Sequence, residues 1–226
     1  MKEQVTSDKR VLLQRVPLFS VLNAEHIELL ARVALRKSLG KGRAVFVAGE
    51  PSQFLYAILS GRVKVQMSDA EGKEVILAVL GSGEFFGEMA LIDEQPRSAT
   101  VITLEPCEFL TINKDDFRVC LSGNAEMAML IMRGLVKRLR EADRKIESLA
   151  LLDVYGRVAR VLLEFSEVEN GQRVLRDKLA RQDVAKMIGA SREMVSRVMK
   201  GLESDGFLVP QADGSFVLNE SRYTHL

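Results

Sequence analysis

Ile27, Leu29, Leu30 and Val33 in "NAEHIELLARVAL" fall on one face of a 3.6-residue period, and Asn23 stands where a helix N-cap is wanted. Residues 11–36 are therefore read as helices. His26 falls among the polar positions of that pattern and reads as solvated surface, while His225, beside the carboxyl end, reads as frayed tail. From Lys37 to about Ile112 the period shortens to two. "RVKVQ" at 62–66 and "EVILAV" at 74–79 alternate, with "EGK" at 71–73 as the turn between them. Glycines at 42, 49, 61, 72, 81, 83 and 87 punctuate the region. Short strands separated by frequent turn signals predict an antiparallel sandwich or roll.

Residues 114–152 return to a helical period of a special kind. Ala128, Met132, Leu135, Leu139, Ala142, Ile146 and Leu149 are spaced 4, 3, 4, 3, 4 and 3. That is an a/d seam held for three heptads, which predicts a parallel dimer rather than packing on the helix's own domain. In that register Arg138 at g faces Asp143 at e of the partner. Asp153 then caps a helix carrying Val154, Val158, Val161 and Phe165 and marks a domain boundary, and "EVENGQ" at 167–172 reads as a loop.

The segment Arg181–Leu208, "RQDVAKMIGASREMVSRVMKGLESDGFL", reads as helix, tight turn, helix. Val184, Met187 and Ile188 form the inner face of the first helix. Gly189 falls where a left-handed residue ends it, and Ser191 is placed to cap the second. There Met194, Val195, Val198, Met199 and Leu202 point one way, and Arg192, Glu193, Ser196, Arg197 and Lys200 the other. Arginines on an exposed stripe can fork onto guanine, and a glutamate can accept from cytosine. Asp213-Gly214 between apolar runs adds a hairpin suited to a wing.

The 226 residues suit one large domain or two ordinary ones. A net charge of +1 excludes a global basic field, so a nucleic-acid surface has to be local. Between Val174 and Gly201 there are seven Lys/Arg against three Asp/Glu, which supplies that patch. Cys107 and Cys120 have no ligand spacing and read as free thiols in a reducing compartment. The amino terminus lacks an apolar signal core and no apolar run is long enough to span a bilayer, so the expected location is cytoplasmic, with no membrane partner. A metal-dependent roll enzyme needs clustered histidines and carboxylates, and neither histidine lies in the strand region, so no enzyme and no metal site are expected. The same scarcity argues against a haem or iron–sulfur sensor.

"GEFFGEMALIDEQPRSATV" at 83–101 places Glu88 and Arg97 nine residues apart in a glycine-rich stretch. They either bond each other on a surface or grip opposite ends of a small anionic ligand. The chain resembles the cyclic-AMP receptor protein and fumarate–nitrate regulator superfamily over nearly its whole length, on this string and on "SREMVSRVMK". The resemblance implies an α+β fold: an amino-terminal cyclic-nucleotide-binding β-roll (jelly-roll-like) at 1–123, a dimerisation helix at 124–152 and a winged helix-turn-helix at 153–226.

It further implies a ligand-gated regulator working as a homodimer on a two-fold, TGTGA-like DNA site, with RNA polymerase as a further partner. Gly87, Glu88, Met89, Ala90, Arg97, Ser98, Arg138 and Asp143 are the implied ligand-binding residues. Gly87 admits close backbone approach to a cyclic phosphate, and a short helical turn from Met89 to Leu91 aims amides at it. Arg97 forks onto the phosphate, Glu88 accepts from the ribose 2′-hydroxyl, and Ser98 donates. Arg192, Glu193 and Arg197 match base-reading positions, and Arg181, Gln182 and Ser191 match phosphate contacts.

Ala180 departs from the pattern, standing where a capping threonine is found. So do Ala142 and Asp143, which replace a Thr-Ser pair on adenine. The Asp143 carboxylate can accept from the adenine amino group, but it matches the two-donor edge of guanine better. Cyclic AMP is the effector expected, with cyclic GMP or cyclic di-GMP as alternatives, and a constitutive DNA binder with a silent pocket as the rival. No tightly bound cofactor is expected.

Overall fold

The computed structural model describes residues 9–14, 16–176 and 179–222, so His225 lies outside the described residues. The described chain forms two compact units. One runs to Gly72 and adds Leu77–Leu139, and the other joins Lys73–Ile76 to the chain from Arg140 onward.

The first unit opens with helical stretches over 9–14 (α1), Pro17–Ser20 (α2) and Ala24–Val33 (α3). Asn23 caps α3 by accepting from the His26 amide at 2.8 Å. The helical reading overran by two residues. Leu35 and Arg36 already belong to strand β1, Leu35–Leu39, because they pair with Thr111 and Leu110 across the sheet. Seven more strands follow: β2 Ala44–Phe46, β3 Phe54–Ser60, β4 Val63–Ser68, β5 Glu74–Leu80, β6 Phe85–Phe86, β7 Thr100–Thr103 and β8 Cys107–Asn113. They make two antiparallel sheets, ordered β1-β8-β3-β6 and β2-β7-β4-β5.

The alternation along β3 explains the layering. Tyr56 and Ile58 join Val63, Phe86, Val101 and Phe109 in one core, while Leu55 and Ala57 join Phe19, Leu30 and Phe117 in another beneath the helices. A fully buried ring such as Phe109 contributes about 2–3 kcal/mol by leaving water. Gly61 shows why the turns are glycine: at φ 84° a Cβ would stand 2.5 Å from the Pro106 carbonyl oxygen. Both cysteines are buried and free. Burial pushes the Cys120 thiol up to about 11.

A short helix α4, Met89–Ile92, interrupts the strands, and α5, Lys114–Ser122, and α6, Ala125–Leu151, close the unit. Asn113 and Asn124 each cap the helix that follows, and the axis turns by 112° between α5 and α6. His26 is not solvated as the polar pattern suggested; it is half-buried against the place where a Gly123 side chain would lie.

Helix α6 has two apolar faces. Met127 and Ile131 are buried in the helical core, with Leu130 and Leu135 packed beside them. Met132, Leu139, Ile146 and Leu149 of the heptad seam are exposed, as are Met129 and Val136. The row expected through Ala128 and Leu135 is thus partly spent within the chain, and its exposed counterpart shifts by one residue to Met129 and Val136.

In the second unit Asp153 caps α7, Val154–Glu164, accepting from the Gly156 amide at 2.8 Å. Helices α8, Arg181–Ile188, and α9, Arg192–Ser204, pack with α7 around Val158, Leu162, Val184, Ile188, Val195 and Leu202. A four-stranded antiparallel sheet, β11-β12-β10-β9, completes it, with β11 Leu208–Pro210 and β12 Phe216–Leu218 forming the expected wing hairpin. Residues 167–172 are not a loop as read. Glu167–Glu169 (β9) and Gln172–Leu175 (β10) pair across Asn170-Gly171, whose φ values of 49° and 79° suit a tight hairpin turn.

Candidate ligand pocket and nucleic-acid interface

Strand β6 ends at Gly87, whose φ of 85° only glycine adopts without strain. A Cβ there would stand 2.5 Å from a terminal nitrogen of Arg97. The chain then buries Glu88 completely. One carboxylate oxygen pairs with the Arg138 guanidinium of α6, which also donates to the Phe85 carbonyl and lies over the Phe85 ring. The other oxygen, Oε2, has no hydrogen-bond partner among the described residues. Burial raises the Glu88 pKa above the usual carboxylate value, against the opposing charges of Arg138 and Arg97.

Arg97 is 5% exposed. Its backbone is bracketed by the loop after β2: its amide donates to Glu50 at 2.9 Å, and its carbonyl accepts from Gly49 at 2.8 Å. One terminal nitrogen donates to the Gly87 carbonyl at 2.9 Å and the other to the Phe54 carbonyl at 2.7 Å, leaving Nε without a partner among the described residues. Its face covers the Phe46 ring at 4.0 Å, with Tyr56 at 5.8 Å. Burial draws its pKa below the ordinary arginine value, opposed by the nearby Tyr56, Glu88 and Glu50.

Glu88 and Arg97 are therefore not a surface ion pair: each is buried, and the partner of Glu88 is Arg138. The two terminal nitrogens of Arg97 hold backbone carbonyls, because a buried guanidinium needs acceptors; each still carries a second N–H. Within the chain, Arg138 pairs with the desolvated Glu88.

The remaining cassette residues spread around this pair. Met89 starts α4 and is exposed, Ala90 is buried, and Ser98 is exposed beside Arg97. The amides of Leu91 and Ile92 bond the Glu88 carbonyl at 3.0 Å, closing the short turn on itself. Ala142 and Asp143 are exposed on α6. Sequence reading missed Phe46, Tyr56, Phe85 and the Glu88–Arg138 pairing, which join residues 41 to 53 positions apart in the chain or lie at ordinary core spacing.

The second unit presents α9. Gly189 is left-handed, φ 67° and ψ 41°, so α8 stops there and α9 starts three residues on. Ser191 caps α9 by accepting from Met194 at 3.1 Å. Val195, Val198 and Leu202 fix its inner face, and Arg192, Glu193, Arg197 and Lys200 are exposed. Arg181 and Gln182 are exposed in the first turn of α8. Ala180 makes no side-chain cap, and Asp183 supplies the only acidic charge of that turn. Arg157 of α7, which the sequence did not single out, donates to the Ile188 carbonyl at 3.1 Å, satisfying a helix-end acceptor at the α8–α9 turn.

Residues 36–124 match the family described as the cyclic nucleotide-binding domain, and residues 156–221 match the Crp-like helix-turn-helix domain. The chain is 36% identical over 210 residues to the cAMP-activated global transcriptional regulator CRP of Haemophilus influenzae, covering 91% of this chain and 90% of that one. It is 35% identical over 192 residues to the cAMP-activated global transcriptional regulator Vfr of Pseudomonas aeruginosa, covering 81% and 89%. Among solved structures, the c-di-GMP responsive global regulator CLP of Xanthomonas campestris superposes with a TM-score of 0.72 at 34% identity, over 87% of this chain and 99% of that one. Two domain matches in tandem, and relatives above 30% identity along most of its length, make the chain a member of the cyclic-AMP receptor protein and fumarate–nitrate regulator superfamily: a ligand-gated, DNA-binding transcription regulator.

Proposed function

We propose that the roll binds a cyclic nucleotide, cyclic AMP first, and that occupancy sets how a homodimer engages a two-fold DNA site. The observation that carries this is the pair of orphaned groups. Glu88 Oε2 and Arg97 Nε–H are both buried without a partner among the described residues, one an acceptor and one a donor. Unpartnered buried polar groups are costly, and a ligand bearing a hydroxyl and an anionic phosphate satisfies both. Glu88 then accepts from a ribose 2′-hydroxyl and Arg97 donates to phosphate. Gly87, Met89, Ala90 and Ser98 line the approach, with Arg138 holding Glu88 in place.

On the DNA side Arg192, Glu193 and Arg197 read a TGTGA-like half-site, while Arg181, Gln182 and Ser191 contact phosphates. The protein acts in the cytoplasm, without enzymatic activity and with RNA polymerase as a partner.

A second reading replaces cyclic AMP with cyclic di-GMP. It is favoured by the likeness to the c-di-GMP responsive regulator and by Asp143, whose carboxylate suits the two-donor edge of guanine where the family pattern has a serine. Calorimetric titration with cyclic AMP, cyclic GMP and cyclic di-GMP tests both readings. Tightest binding of cyclic AMP supports the first, tightest binding of cyclic di-GMP the second. No binding of any of the three leaves the constitutive DNA binder.

A further inference from the structure

Phe46 is the last residue of β2, and Arg97 lies 51 positions later, yet their planes meet. The guanidinium carbon stands 4.0 Å from the Phe46 ring centroid. Phe46 is itself held by two rings, Tyr56 at 5.7 Å and Phe86 at 5.8 Å. Tyr56 and Phe86 stack on each other at 5.1 Å and 5°, with the Phe109 edge behind both. The loop leaving β2 also brackets the Arg97 backbone at Gly49 and Glu50. One short segment therefore fixes both the main chain of Arg97 and one face of its side chain.

A guanidinium is an extended planar donor, and where its free N–H edge points depends on the tilt of that plane. The Gly87 and Phe54 carbonyls anchor two corners, which leaves a rotation about the line joining them. The Phe46 ring blocks that rotation on one side. We propose that Phe46 is a positioning residue for anion capture: its ring sets the tilt of the Arg97 guanidinium, so that the Nε edge meets a phosphate oxygen of the nucleotide. This rests on the reading of Arg97 as the phosphate donor.

The test compares Phe46→Leu, Phe46→Tyr and Phe109→Leu by calorimetric titration with cyclic AMP and cyclic di-GMP, beside thermal melts of the ligand-free proteins. Phe109→Leu removes a ring from the same core without touching Arg97. Phe46→Leu is expected to weaken nucleotide binding about 5- to 30-fold, the span between an exposed and a desolvated cation–π contact. Phe46→Tyr restores it to within about twofold, and Phe109→Leu leaves affinity intact even where it lowers the melting temperature more. Unchanged affinity in Phe46→Leu overturns the proposal, as does an equal loss in Phe109→Leu, which would make the effect one of core packing. A wild-type protein that binds neither nucleotide overturns the reading of the pocket itself.

Discussion

Glu88 takes an ionisable group out of water and leaves half of it unbonded, so its behaviour with pH is informative. Its pKa lies above the ordinary 4.5 because burial penalises the charged form more than Arg138 and Arg97 reward it. The folded state therefore holds the proton more tightly than the unfolded chain. This carboxyl adds most to stability below about pH 4.5, and that contribution is lost as pH rises through the raised value. A ribose hydroxyl needs the carboxylate form. Nucleotide affinity should thus fall on acidification at a higher pH than an ordinary glutamate would give. Titrations downward from neutral pH should show this in the wild type, while Glu88→Gln should bind weakly with a flat profile. Arg97→Ala should lose about 2–5 kcal/mol of nucleotide binding, since it truncates a buried, charged donor. Calorimetry showing wild-type affinity would remove Arg97 from the site. Both residues were legible because a short string carries them. Phe46 was not, and neither was the pairing of Arg138 with Glu88, since those contacts are made by the closure of the roll and by α6 lying over β6.

At the scale of elements, α9 was read correctly for a physical reason: its cap, its inner apolar face and the left-handed Gly189 all agree. Local agreement of this kind is what makes a segment predictable from sequence. The hairpin of β9 and β10 was missed because β9 is three residues long, too short to show a period, and the Asn170-Gly171 turn was read as part of a loop. The seam on α6 was half legible. Heptad spacing located Met132, Leu139 and Ile146 on the exposed face, but it did not show that Leu135 is drawn toward the helical core. The exposed stripe of α9 supports a prediction of its own. Arg192→Ala should relax preference at one symmetric base pair, at about 1–3 kcal/mol per half-site, in binding assays over a set of single-base operator variants. Uniform weakening with a shallower salt dependence would instead make Arg192 a phosphate contact.

For the whole molecule, the exposed face of α6 is the feature that a single chain leaves unexplained. Met132, Val136, Leu139 and Ile146 follow each other at heptad spacing, and Leu139 is 61% exposed. A second copy of the same helix is the partner this pattern fits. Leu139→Glu costs the isolated chain little, because the side chain already faces solvent. It sets two like charges against each other in a dimer. Sedimentation at micromolar concentration should find the wild type dimeric and the variant monomeric, with a matching loss of affinity for a two-fold operator. A monomeric wild type would reject the assignment.

The buried thiols have a practical consequence. Cys107 and Cys120 are both enclosed, and the Cys120 thiol is pushed up to about 11, so neither offers a thiolate to solvent near neutral pH. Toward a maleimide the native chain should behave as if it had no cysteine, which mass spectrometry of the labelled protein would check. A single new cysteine at exposed Gln172 on β10 would then carry a spin label or fluorophore alone. Distances between such probes could be followed, with and without nucleotide, in an otherwise unaltered protein.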